Sequence, residues 1–363
     1  MSRHPASTRA ACAAIALIAA LVLVACGSSS SGPAETSRDL AKYAWATGDE
    51  GTVLATTDGG AHWVTQPSGT SYGLPDVAFA DPMRGWAVGG TDGHGHLPPV
   101  ELVLSTVDGG AHWSQQTIGQ PGGSLYAVAC TDASHIWVGG SGPGHERAAV
   151  IHASSDGGAH WTQQYLAASG GWGNSVWGLA FADSNHGWAV TGSGHVLGTS
   201  DGGTHWALQT SAPAGAQFDG VACADARHCW AVGLGNGHFR LLLATTDGGA
   251  SWHAASVPRG INTTEAVWSD DADHLYLGGV GSEDPVARNF FASTDGGANW
   301  RAASVAGPCD VSAITGSGSG YLWAVNVDTV AASTDGGATW VTRLQRPDSY
   351  IWGIACPRAA GNL

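Results

Sequence analysis

Thr56-Thr57-Asp58-Gly59-Gly60-Ala61-His62-Trp63 decides the fold, because its pattern, Ser/Thr-x-Asp-Gly-Gly-x-x-Trp, recurs along the chain. Further copies run from Thr106 to Trp113, Ser154 to Trp161, Thr199 to Trp206, Thr245 to Trp252, Ser293 to Trp300 and Ser333 to Trp340. The box aspartates Asp58, Asp108, Asp156, Asp201, Asp247, Asp295 and Asp335 lie 50, 48, 45, 46, 48 and 40 residues apart. That spacing is the length of a four-stranded sheet with its turns. Paired glycines permit the positive φ angles of a tight hairpin, and the Asp carboxylate and Ser/Thr hydroxyl can accept backbone N–H groups within the turn. The closing Trp63, Trp113, Trp161, Trp206, Trp252, Trp300 and Trp340 each offer a large apolar face to a neighbouring sheet. Seven copies predict an all-β chain, a seven-bladed β-propeller of four-stranded blades.

A second element precedes the later boxes: Phe79-Ala80-Asp81 followed by Gly85-Trp86-Ala87-Val88-Gly89, and again Phe181-Ala182-Asp183 followed by Trp188-Ala189-Val190. It reads as the first two strands of a blade joined by an Asp-led turn. The first box has the second strand, Tyr43 to Gly48, with no first strand before it. The matching segment, Tyr350-Ile351-Trp352-Gly353-Ile354-Ala355-Cys356, lies at the other end of the sequence. The C-terminal strand is therefore expected to complete the first blade and close the ring, which protects the sheet edges. The propeller is placed at residues 43–363.

Residues 1–26 read as a lipoprotein signal peptide. Arg3 and Arg9 precede an apolar run, Ala10 to Val24, too short to span a bilayer comfortably. The run ends Leu23-Val24-Ala25-Cys26-Gly27, which resembles the bacterial lipobox and implies lipidation at Cys26 and a membrane anchor. An uncleaved anchor or an ordinary secretory signal is the alternative, and each exports the body. Residues 27–42 begin with a Ser/Gly tract and are expected to form a flexible tether. Without Arg3 and Arg9 the chain carries 12 basic against 29 acidic side chains, and Lys42 is its sole lysine. Such a balance argues against nucleic acid as a partner, since phosphate binding needs clustered Lys and Arg.

Each box Asp sits alone on its blade, which fits a folding device and not a calcium site. His62, His112, His160 and His205 occupy one box position that Ser251, Asn299 and Thr339 fill elsewhere, so they read as surface residues and not ligands. His94, His96 and His145 could meet, but no metal and no cofactor is expected. Cys223 and Cys229 flank the turn between the first two strands of one blade, a spacing a hairpin can bridge with a disulfide. Cys309 and Cys356 could pair across blades, and Cys130 is expected to be a buried thiol.

His186 to Val190 and Thr56 to Trp63 resemble the BNR-like propellers of the photosystem II assembly and stability factor family, over nearly the whole exported chain. The resemblance implies an extracytoplasmic, non-catalytic propeller at a membrane surface that binds a protein partner. The boxes are also similar to those of sialidases and xyloglucan hydrolases, which makes a cell-surface glycan the alternative ligand. No sialidase arginine triad is recognisable, and no catalytic residues are assigned. A carboxylate pair such as Asp219 and Glu265 could still be hidden in an acidic chain. Binding is expected on the face opposite the box turns, where loops vary in length. Alignment of the blades puts Tyr126, Trp177, Asp219 and Trp352 at the channel mouth, with Pro75 and Thr264 as their equivalents and Tyr72 and Trp172 in the loops. A monomer is expected.

Overall fold

The computed structural model describes residues 36–91, 97–143, 147–167, 174–235, 240–280, 288–305, 311–347 and 349–358. Cys26, Trp172, Cys309, His94, His96 and His145 lie outside them. Among the described residues the strands form seven four-stranded antiparallel sheets. The inner strands of consecutive sheets pack against one another right round the molecule, which makes the sheets blades of a ring. Val176–Phe181, Gly187–Thr191, His195–Thr199 and Ala207–Ser211 make up the fourth blade, within two residues of the sequence expectation.

Ring closure follows the sequence reading. Ile351–Ala355 pairs antiparallel with Ala44–Gly48, placing Trp45 opposite Ala355 and Ala46 opposite Ile354. The N-terminal Val53–Thr56 and Val64–Thr65 complete that blade.

In every blade the second strand is mostly apolar and is buried over all or all but one of its residues, as in Gly85–Gly89 and Gly187–Thr191. Both of its faces meet neighbouring blades, so it reads as a continuous hydrophobic run. Outermost strands face water, and Ser114–Ile118 is exposed over four of its five residues. Two aromatic side chains per blade, one on the second strand and the box Trp, seal the seams; they are both tryptophans in every blade but the sixth, where Tyr276 takes the first place. Trp45 in the first blade stacks on Phe79 of the second at 3.5 Å between centroids, and Trp113 meets Phe79 edge-on. The Trp45 indole N–H also donates to the box carbonyl of Gly109 at 3.0 Å. Trp137, Phe181, Trp206 and Gly202 repeat the arrangement two blades on.

The boxes are hydrogen-bonded turns. In the first, Gly60 N–H donates to Thr56 Oγ1 at 2.9 Å, the Thr56 hydroxyl donates to Asp58 Oδ1, and His62 N–H donates to the same oxygen at 3.0 Å. Gly59 and Gly60 take φ of 74° and 82°, which only glycine adopts without strain. His62, His112, His160, His205, Ser251, Asn299 and Thr339 all place a side-chain nitrogen or hydroxyl 2.6–2.7 Å from the second carboxylate oxygen of their own box Asp. This explains why the position varies among those four residue types: each can donate there. Backbone and side-chain donors of His62 hold Asp58 down at about 2.

Ser37–Leu40, within the expected tether, is a helical turn capped by Thr36, with Leu40 buried and the Ser37 carbonyl accepting from Ser317 Oγ at 2.7 Å. No helix among the described residues is long and apolar enough to cross a membrane.

Cys223 and Cys229 stand directly opposite each other across two strands and form a disulfide, while Cys130 and Cys356 are free thiols. Cys356 is buried. Cys130 is only half-buried, because its strand ends at the channel wall. Closing so short a loop contributes about 2 kcal/mol. Replacing both Cys223 and Cys229 with Ala is expected to lower the melting temperature by roughly 3 °C. Calorimetry of the two proteins under non-reducing conditions checks this, and an unchanged melting temperature would remove the disulfide from the stability account.

Candidate functional site

The inner strands enclose a cavity of about 360 Å³ along the ring axis. Its wall is built by Asp76–Phe79, Ser124–Cys130, Val176–Phe181, Gln217–Cys223, Ala266–Ser269, Ala313–Gly318 and Ile351–Ala355. All of these strands begin at the loop face and end at the box face.

Tyr126, Trp177, Asp219 and Trp352 all line the cavity. The backbone device that aims them is a β-bulge. Pairing with the second strand skips from Leu125 to Ala127, from Val176 to Gly178, from Phe218 to Gly220, and across Trp352 between Ile351 and Gly353. Each skipped residue leaves the ladder, and its side chain is free to turn into the channel instead of alternating with its neighbours. Trp177 is 44% exposed and Trp352 36%, high values for tryptophan in the wall of a ring. Tyr126 and Trp177 stack with centroids 4.7 Å apart and planes 23° apart.

Two sequence placements change. Thr264 is buried, its hydroxyl donating to the Gly233 carbonyl at 2.9 Å, and Glu265 takes the channel position. Strand Ala266–Ser269 starts later and carries no bulge, which shifts the alignment by one residue. Tyr72 is not among the described residues that line the cavity. It packs on the seam beside Trp45 and Leu74, and its phenol donates to the Pro98 carbonyl at 3.0 Å. Trp172 lies outside the described residues.

The wall holds carboxylates at the mouth. Burial pushes Asp219 up to about 6, opposed by a hydrogen bond from Gln217 and reinforced by the charge of Glu265. The structure thus brings Asp219 and Glu265 into electrostatic contact on adjacent blades. Asp76, which sequence reasoning passed over in favour of Pro75, accepts N–H bonds from Val77 and from Val128 of the next blade, each at 2.8 Å. Burial outweighs both bonds and pushes Asp76 up to about 7.

Arg358 closes the box end. Its guanidinium lies 3.7 Å over the Trp268 ring and donates to the Ser269 carbonyl at 2.9 Å, with the charge of Asp270 nearby. Asp270 is in turn held by Trp268, Tyr276 and the Gly320 N–H. The thiols of Cys130 and Cys356 line the same end, and burial raises both to about 12, so they stay neutral. Nothing in the sequence marked Arg358, a single residue beyond the last repeat.

With this geometry in hand, comparison with known proteins places the chain. Residues 171–261 match the family described as photosynthesis system II assembly factor YCF48. The chain is a BNR-like propeller that resembles this assembly factor. The solved structure titled YCF48 bound to D1 peptide is 20% identical, covering 78% of this chain and 86% of that one, with a TM-score of 0.56. YCF48 from Cyanidioschyzon merolae is 17% identical over 83% of this chain and 92% of its own, with a TM-score of 0.57. The GH74 xyloglucanase from Xanthomonas campestris is 15% identical over 87% of this chain and 53% of its own, with a TM-score of 0.63. At these identities the structures share the fold. No curated protein matches the sequence significantly.

Proposed function

We propose that this chain is a non-catalytic binding propeller, exported and lipid-anchored through Cys26, whose channel mouth receives a segment of a partner protein at the membrane surface. The observation that carries the reading is the bulge at the entrance of four inner strands, which turns Trp352, Tyr126, Trp177 and Asp219 into an open cavity. Exposed aromatics in a concave site are the side chains that anchor protein partners. The solved YCF48 that carries a D1 peptide lends support from a protein of the same fold.

In-cell crosslinking of the tagged, anchored protein, followed by mass spectrometry of what is attached, tests this. A discrete protein partner is expected, recovered at least tenfold less with the Trp177→Ala and Tyr126→Ala double variant. Equal recovery from both proteins would remove the mouth as the contact.

A second reading is favoured by one observation, the Asp219 carboxyl raised beside Glu265 in a cleft with aromatic walls. A pair of neighbouring carboxyl groups is what glycoside cleavage uses. Retention on cell-wall polysaccharide, with hydrolysis lost in Asp219→Asn and Glu265→Gln, would establish it over the first.

A further inference from the structure

We infer that the channel mouth takes a cationic side chain, the guanidinium of arginine or the ammonium of lysine on a partner peptide, held between the Trp177 face and the Asp219 and Glu265 carboxylates. The inference rests on the reading of the mouth as a peptide-binding site and names what that site selects.

Trp177 and Asp219 on consecutive inner strands, and Glu265 just before the next one, all line the cavity, and the backbone beside each is in contact with that beside the next, Gly178 against Gly220 and Gly220 against the Glu265 carbonyl. Tyr126 stacks on the Trp177 ring and fixes its orientation, while much of the indole stays exposed. The faces of aromatic rings carry negative partial charge and attract organic cations, indole most strongly. The two carboxylates add full charges of the sign such a cation requires. Burial, with Glu265 adding to it, already disfavours the ionised form of Asp219, and a cation at the mouth reverses that balance.

The protein uses this arrangement once internally. At the box end of the same channel the Arg358 guanidinium lies 3.7 Å over Trp268 beside the charge of Asp270. Among the described residues lining the cavity Arg358 is the only basic one, and it is committed to that end. At the mouth Asp219 accepts from the Gln217 amide at 2.9 Å and Glu265 from the Thr263 hydroxyl at 3.1 Å, both neutral donors.

Other ligand chemistries fit less well. A hard divalent ion needs six or more oxygen ligands, and an indole face supplies none. A neutral sugar could stack on Trp177 but offers no charge to the two carboxylates. An acidic segment would be repelled by them.

The test is selection of random dodecapeptides displayed on phage against the immobilised full-length protein, followed by titration of the synthetic winners. Winning peptides are expected to share one Arg or Lys. Replacing it with citrulline or acetyl-lysine, which keep the shape and remove the charge, is expected to weaken binding at least tenfold. Asp219→Asn with Glu265→Gln is expected to weaken the charged peptide as much while leaving the neutral one unchanged, which separates charge recognition from a folding defect. Peptides that lose binding with Trp177→Ala but bind equally well after citrulline replacement would overturn the inference and leave the peptide-binding reading standing. Failure to select any peptide that depends on the mouth would overturn both.

Discussion

A chain ending at Ser349 is expected not to fold. Removing the C-terminal strand takes Ile351, Ile354, Ala355 and Cys356 out of two cores, one shared with Trp323 and Val325 and the other with Trp45 and Val77. The two isoleucines alone represent about 4 kcal/mol of apolar burial. Loss of the strand also exposes the hydrogen-bonding edge of Ala44–Gly48 and strips the first blade of the inner strand that packs against both the second and the seventh blades. Against a net stability of roughly 5–15 kcal/mol, the deficit exceeds what a ring held by its neighbours can absorb. Insoluble protein, or a soluble species without a cooperative melt, is the expected outcome in calorimetry and gel filtration. A truncated chain that remains soluble, monomeric and cooperatively melting would show that the remaining blades stand without closure.

Asp76 is expected to make the protein lose stability as the medium turns from acid to neutral, the reverse of ordinary acid denaturation. Its carboxyl is raised from 3.8 to about 7 by burial, so over that interval the folded chain binds more protons than the unfolded one. Stability then falls as pH rises, and the contribution present below pH 4 is gone above pH 7. The whole change is on the order of 4 kcal/mol at most. The box aspartates act in the opposite direction, since Asp58, Asp156, Asp201, Asp247 and Asp335 are held down at about 2. Their stabilisation is lost only as pH falls from 4 toward 2, outside the window in which Asp76 titrates.

Asp76→Asn keeps the shape but offers one good acceptor where the carboxylate offers two, so it sacrifices one of the bonds to Val77 and Val128. The variant is expected to be the less stable protein at pH 4.5. Between pH 4.5 and pH 8 it should gain several kcal/mol on the parent. Urea denaturation of both proteins across that range checks this, because contributions from every other carboxyl cancel in the difference. Parallel profiles would mean that Asp76 is solvated through the channel and titrates normally.

The sequence by itself determined the architecture. Seven boxes at blade spacing, six repeats of the preceding strand pair, and a displaced first strand at the C-terminus leave one way to close the ring, because each local signal repeats and every copy must pack like its neighbour. The hairpin disulfide between Cys223 and Cys229 was legible for the same reason, being local. Tertiary structure decided the site. A bulge depends on how a strand pairs with its neighbour, which is why Trp177 and Asp219 could be aligned from sequence while the means of turning them inward could not. One missing bulge exchanged Thr264 for Glu265, and Tyr72 packs on the seam core. Asp76 bonded to Val128, Arg358 laid over Trp268, and His152 set 2.7 Å from Glu101 across a buried seam join residues tens of positions apart or more. Such pairs carry no periodic signature. Their charges and burial exist only once the blades have met, and the chemistry of the mouth arises from that meeting.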